Sequence, residues 1–176
     1  NALAQRHALR QQRALGLGLP TVVAMRGVLA GSFLGAESFI PLMLVSERGL
    51  SATVAGVTLT GGALGWALGS WYQGRPRMTV PRQVLIRTGA AIVAVGILVT
   101  GLVLVPAVPT GIAVAAWTLG ALGMGVGMSS ISVLLFEYSS PEDQGTNSAA
   151  VQLSDALACV LCVSLGGVIF AYAHAR

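Results

Sequence analysis

Five long apolar stretches, separated by short polar segments, dominate the pattern of residues along the chain. Each holds 18 or more residues, which is the length that an α-helix needs to cross a bilayer at ~1.5 Å per residue. The pattern therefore predicts an all-α, polytopic membrane protein with five transmembrane helices. We expect the spans at about residues 21–45, 53–72, 88–105, 110–136 and 147–172.

The segments outside the spans are short and polar. Residues 1–18 carry three arginines ahead of the first span, and we expect them to form a cytoplasmic linker. Residues 19–176 then form a transmembrane domain. The chain begins at Asn1 and stops at Arg176, directly after an apolar run. We therefore expect the domain to be incomplete and the chain to be a fragment of a longer polypeptide.

The composition agrees with a membrane protein. Hydrophobic residues make up 55% of the chain, charged residues only 9%, and the mean hydropathy is +0.79. Soluble domains carry about 25% charged residues, so this chain cannot easily cover a globular surface with polar groups. The net charge of +4 lies in short clusters between apolar runs. A nucleic-acid-binding protein would instead spread basic residues along one face, and we expect no nucleic-acid partner.

The positions of the arginines predict the orientation in the membrane. Seven of them lie in residues 1–18 and 73–87, whereas the opposite side holds only Arg48 and Arg176. An excess of arginine and lysine marks the cytoplasmic side. We therefore expect residues 1–18 and 73–87 to be cytoplasmic, in a multi-pass protein of the inner (plasma) membrane.

Glycines recur at short spacings in two of the spans. Gly61, Gly65 and Gly69 stand at every fourth position of the second span. In lipid, such a row of small residues lets two helix backbones approach closely. The fourth span holds a second group, at Gly120, Gly123, Gly125 and Gly127. We interpret both groups, with Gly61, Gly65, Gly123 and Gly127 as leading positions, as helix-packing residues rather than binding residues.

Charged residues inside the first span are candidates for function. A charge within a span costs about 2.5–3.5 kcal/mol on insertion scales, so it normally faces protein or water. Arg26 and Glu37 are eleven residues apart, which places them on one helix face about 16 Å from each other. They could line one wall of a cavity and bind substrate or protons. The alternatives are a structural ion pair with another helix and, for Arg26, extension to the membrane surface.

The fifth span carries one acidic residue within a polar stripe. Ser148, Gln152, Asp155 and Cys159 follow helical spacing and share one face. Such a stripe belongs against a water-filled cavity or a polar helix interface. A carboxylate held away from water takes up a proton more readily, which suits Asp155 to proton coupling, with Gln152 beside it. The alternative is that Asp155 only ties helices together through hydrogen bonds.

Three segments resemble the C-terminal half of a major facilitator superfamily transporter of the bacterial (actinobacterial) drug-efflux type. "GSWYQGRPR", with Gly69, Gly74, Arg75 and Arg77, resembles the second copy of the signature cytoplasmic loop of that superfamily. "GMGVGMSSISVLLFEYSSPEDQGTNSAA" resembles helix ten, its loop and the start of helix eleven, where Glu137 belongs to the motif. "GAESFIPLML" is similar to helix seven.

The resemblance implies a fold and a function. The five spans would be helices seven to eleven of a bundle of 12 or 14 helices, with the missing N-terminal half of the same polypeptide as partner. Helix nine, at residues 88–105, would face lipid, and the other four would face a central cavity. The activity would be secondary active transport by alternating access, as a proton-coupled antiporter that exports hydrophobic or cationic small molecules. The resemblance implies no cofactor.

Several alternatives stay open beside this interpretation. The chain could belong to an uptake transporter of the same superfamily, or to a non-transporting membrane scaffold or receptor-like subunit. We do not expect an enzyme, because His7 and His174 lie outside the predicted spans and no base stands beside a buried serine. Cys159 and Cys162 form a lone C-x-x-C in an apolar helix, and we interpret them as packing residues, with no metal site.

The cytoplasmic arginines have two possible roles. They can act as topology signals alone. They can also form an ion-pair latch with Glu137, Glu142 or Asp143 on the neighbouring cytoplasmic loop, which alternating access would break and remake. An exposed ion pair contributes at most about 1 kcal/mol, so neither role is favoured over the other.

Overall fold

Five α-helices make up the described part of the chain. The computed structural model describes residues 18–75 and 79–174, and all five helices within them are long and apolar enough to cross a membrane. We number them α1 to α5. Their bounds are α1 Leu19–Ser46, α2 Ala52–Gln73, α3 Arg82–Gly101, α4 Gly111–Tyr138 and α5 Gln144–His174, with a 3₁₀ turn at Leu102–Leu104 after α3.

Local sequence signals set the ends of the first two helices. Pro20 stands in the first turn of α1, where its missing N–H costs no hydrogen bond. Gly49 turns the chain after α1 with a φ of 64°, a conformation that glycine adopts without strain. Ser51 then caps α2, because its Oγ accepts a hydrogen bond from the backbone N–H of Val54 at 3.3 Å.

The helix α4 forms the centre of the bundle. It is the most buried of the five, and both α2 and α3 pack along its length. The helix α5 packs mainly against α1, which in turn makes smaller contacts with α2, α3 and α4. Among residues 144–172 of α5 only Val151 is buried. The bundle is therefore a three-helix unit around α4 joined to the pair of α1 and α5.

The predicted start of the third span is wrong. Its helix begins at Arg82 rather than at residue 88, so Arg82 and Arg87 belong to the first turns of α3. The expectation that this span faces lipid stays a prediction. A third of the apolar window of α3 is buried within the described residues, whereas none of that of α5 is. The reason lies in Gly89 and Gly96, which allow the backbone of α3 to lie directly on that of α4.

The other helices differ from expectation only at their ends. The helix α4 continues to Tyr138 and α5 begins at Gln144, so the segment between them is shorter than the predicted loop at residues 137–145. Residues 1–17 of the expected linker lie outside the described residues.

Candidate functional site

An ion pair inside the membrane span joins α1 to α5. Arg26 Nε donates a hydrogen bond to Asp155 Oδ2 at 3.0 Å. The same guanidinium donates from a terminal nitrogen to Ser132 Oγ of α4 at 2.7 Å. About one fifth of each charged side chain is exposed, 20% for Arg26 and 19% for Asp155. Three helices therefore meet at one partly buried pair of opposite charges.

Close backbone packing brings the two charges together. A methyl group added to Gly31 would lie 2.9 Å from backbone atoms of Ala158, so α1 and α5 are almost in backbone contact there. One turn nearer to the ion pair, Gly27 lies against Ser154, whose Oγ donates to the carbonyl of Val23 at 3.1 Å. Arg26 directly precedes Gly27, and Asp155 directly follows Ser154. The small residues thus set the distance at which the ion pair forms.

One carboxylate oxygen of Asp155 has no hydrogen-bond partner among the described residues. Its Oδ1 is buried and makes no hydrogen bond to the described residues, whereas Oδ2 accepts from Arg26. A buried acceptor without a donor costs about 1–3 kcal/mol, and more when it is charged. A donor from water or a ligand would remove that cost. The Oδ1 atom of Asp155 is therefore an acceptor that such a donor could satisfy.

The polar stripe predicted on α5 only partly faces protein. Asp155 reaches α1, but Gln152 is exposed and makes no hydrogen bond to a described residue. Ser148 and Cys159 are half-buried. The face of α5 that contacts α1 runs instead through the small residues Ser154, Ala158, Cys162 and Gly166. Gln152 is thus not brought to the ion pair.

Glu37 has different surroundings from Asp155. It lines a cavity of about 310 Å³ between α1 and α2. Its carboxylate makes no hydrogen bond or ion pair with the described residues. Arg26, on the same helix, is engaged by α4 and α5. The spacing places both residues on one side of α1, yet each faces a different neighbour.

The loop motif shows local contacts at the end of α2. The guanidinium of Arg75 lies 4.1 Å from the ring centre of Trp71 and 5.3 Å from that of Tyr72. Gly74 ends α2, and Arg82 donates to the side-chain and backbone oxygens of Gln73.

The predicted cytoplasmic latch does not form between described residues. None of the described arginines lies within ion-pair distance of Glu137, Glu142 or Asp143, and Arg77 lies outside the described residues. Asp143 instead accepts a hydrogen bond from Ser140 Oγ at 2.7 Å, which closes the turn before α5. Asp143 is thus bound within its own turn rather than to an arginine of the other loop.

The predicted packing glycines of α2 and α4 lie at helix contacts. A side chain at Gly61 or Gly65 would overlap Thr118 of α4. A side chain at Gly69 would overlap the backbone carbonyl of Leu122, also of α4. These three glycines allow α2 to lie against the backbone of α4.

The glycines of α4 meet its other neighbours. A methyl group on Gly123 would lie 2.7 Å from the carbonyl oxygen of Gly89 of α3. One on Gly127 would lie 2.9 Å from the side chain of Leu29 of α1. The row of small residues on α4 therefore allows two neighbouring helices to approach.

The sequence analysis missed a further row of glycines. Gly27, Gly31 and Gly35 have the same four-residue spacing on α1 as the row on α2 and meet small residues of α5. It also missed Ser132, which no sequence pattern indicates. Cys162 packs against Gly35, and both cysteines are free thiols. No group of three or more potential metal ligands occurs among the described residues.

Comparisons with known proteins give no match, whether against protein-family models, curated proteins or solved structures. The described residues thus show five apolar helices and an ion pair between α1 and α5. The resemblance to the major facilitator superfamily stays a prediction.

Proposed function

We propose that this chain is part of a secondary transporter that exports hydrophobic or cationic small molecules in exchange for protons. The observation that carries the proposal is the partly buried pair of Arg26 and Asp155 between α1 and α5. Charges within membrane spans are costly and usually mark a pathway or a coupling group. A scaffold without transport would have no need of a partly buried pair of charges inside the bilayer.

Proton binding at Asp155 provides the coupling in this proposal. With Asp155 ionised, its charge compensates Arg26 and holds α1 against α5. With Asp155 protonated, Arg26 loses its counterion and retains only the hydrogen bond to Ser132. The two protonation states thus favour different contacts between α1 and α5. A difference of this kind is what a ligand, here a proton, needs in order to shift a conformational equilibrium.

The test uses the full polypeptide that contains this chain, reconstituted in liposomes. Ethidium, a hydrophobic cation, is the transported probe. An interior more acidic than the outside should drive ethidium inward by exchange for protons. Asp155→Asn should abolish this accumulation while ethidium still equilibrates down its own gradient, because an amide carries no charge to exchange. Glu142→Gln, which removes an exposed loop carboxylate, should leave accumulation unchanged.

The direction of coupling separates export from uptake. If accumulation requires an outside more acidic than the interior, the chain belongs to a proton-coupled uptake system and not to an exporter. Gradient-driven accumulation at the unmodified level in Asp155→Asn would show that the aspartate has only a structural role. If the unmodified protein does not move ethidium, the proposal for hydrophobic cations is wrong.

A further inference from the structure

Among the described residues Glu37 has no counterion, and its carboxylate lies beside a cavity in the membrane span. The cavity has a volume of about 310 Å³, at the lower end of the range for small-molecule sites. Arg26, the nearest basic residue along α1, is already bound to Asp155 and Ser132. Because an uncompensated carboxylate is unfavourable in such a place, a positively charged ligand would be strongly preferred.

Aromatic rings form the rest of the cavity wall. The ring of Trp66 and that of Phe33 line it together with Glu37. The two rings meet edge to face with centres 5.7 Å apart. Phe33 is fixed from its other side, because it stacks on Trp117 with centres 4.4 Å apart. Gly62 makes room for that indole, since a methyl group there would lie 2.8 Å from it. The wall is therefore a rigid aromatic surface rather than a mobile one.

We propose that this cavity binds an organic cation, with the charge beside Glu37 and an apolar group against Trp66. Its use in transport rests on the function proposed above, but binding itself does not. Aromatic faces attract weakly hydrated organic cations and add to the attraction of the carboxylate. A small inorganic cation would need several oxygen ligands, and among the residues that line the cavity only Glu37 has an oxygen-bearing side chain.

In this proposal two carboxylates have separate tasks, because one carboxylate could not bind a proton and a cation at the same time. Asp155 is compensated by Arg26, so its charge needs no ligand, and in the proposed function it is the group that binds the proton. Glu37 is compensated only when a cation is present. We infer that the cation enters between α1 and α2, while the proton binds between α1 and α5.

Binding to the purified full polypeptide in detergent tests the site without any gradient. The probes are trimethylphenylammonium and benzenesulfonate, which are similar in size and opposite in charge, and calorimetric titration measures their affinities. The cation should bind and the anion should not, although the chain has a net charge of +4. Glu37→Gln should weaken binding of the cation by about tenfold or more, because it removes the compensating charge.

Further variants separate the roles of the cavity residues. Trp66→Leu should weaken binding of the cation by about 2- to 30-fold, the range expected for loss of a cation–π contact. Trp71→Leu is the matched control, because this exposed indole lies on α2 outside the cavity. Ala63→Phe keeps the carboxylate but fills the cavity, so it should also abolish binding. Circular dichroism and elution volume verify that each variant is folded.

The outcomes distinguish this site from the proposed function. Equal affinity for both probes, no affinity for the cation, or unchanged affinity in both Glu37→Gln and Ala63→Phe would overturn the site. Ethidium transport that continues in a protein with no cation binding at Glu37 would overturn the site alone. Cation binding that depends on Glu37, in a protein that moves no ethidium, would instead overturn the transport function alone.

Discussion

At the scale of single residues, the contacts of Arg26 define the chemistry of the bundle. The guanidinium uses one nitrogen for Asp155 and another for Ser132. Both charged side chains are about four-fifths buried, so water screens their attraction only in part. The loss of one partner would leave the other charge uncompensated, which costs more than the intact pair contributes.

Removal of Arg26 alone should therefore destabilise the protein. For Arg26→Gln we expect a loss of about 1–3 kcal/mol, between the values for exposed and fully buried pairs. The double variant Arg26→Gln with Asp155→Asn should recover most of that loss, because no unpaired charge remains. Thermal unfolding of the purified protein measures these two variants and Asp155→Asn alone, and additive losses in the double variant would show that the two residues do not interact.

At the scale of helices, glycine rows organise two of the main contacts. Gly61, Gly65 and Gly69 let α2 lie on α4, and Gly27, Gly31 and Gly35 let α1 lie on α5. In lipid there is little hydrophobic force between helices, so close packing of backbones has to supply the attraction. Small residues on the facing helix surfaces also leave few side chains that interlock. Helices in such contact can therefore slide past each other.

A pair of substitutions in α2 tests this packing. Gly65→Leu should strongly reduce the yield of folded protein, since its side chain would overlap the backbone of α4 at Thr118. Gly56→Leu lies on the same helix but meets nothing within 4 Å, so it should be tolerated. Size-exclusion elution and folded yield report the difference. Similar yields for the two variants would mean that α2 does not pack on α4 as described.

The sequence predicts which face of a helix carries charged or small residues, but it does not predict which helix that face contacts. Apolar length was sufficient to predict five spans, because hydrocarbon imposes one length on every helix. Helical spacing placed Arg26 and Glu37 on one side of α1. It could not show that Arg26 binds Asp155, because the partners lie 129 positions apart and belong to different helices. The glycines of α3 were missed because Gly89 and Gly96 are seven positions apart rather than four.

At the scale of the whole molecule, three of the five described arginines lie at one end of the bundle. Arg75 follows α2, and Arg82 and Arg87 begin α3, while Arg48 lies at the opposite end. At that opposite end Arg48 is held by backbone carbonyls of Val103, Val105 and Val108, at 2.8–2.9 Å. Arg48 therefore joins the first interhelical segment to the third. The unequal distribution of charge predicts that the end with Arg75 is cytoplasmic.

Cysteine labelling in intact cells tests this orientation. In a background with Cys159 and Cys162 replaced by alanine, an impermeant maleimide should label Ala107→Cys, between α3 and α4. It should not label Thr79→Cys, between α2 and α3, until the cells are opened. Both positions are exposed. The reverse pattern would invert the proposed topology, and with it the side from which protons reach Asp155.

The distance along the chain between Arg26 and Asp155 has a consequence for biosynthesis. Ribosomes add about 5–20 residues per second, so α5 emerges on the order of ten seconds after α1. During that interval α1 resides in the membrane with an arginine that has no acidic partner. Docking of α5 ends this state. A nascent chain that stops before α5 would keep Arg26 without its counterion. Membrane quality control that recognises unpaired charges could thereby distinguish a chain without α5 from one that contains it.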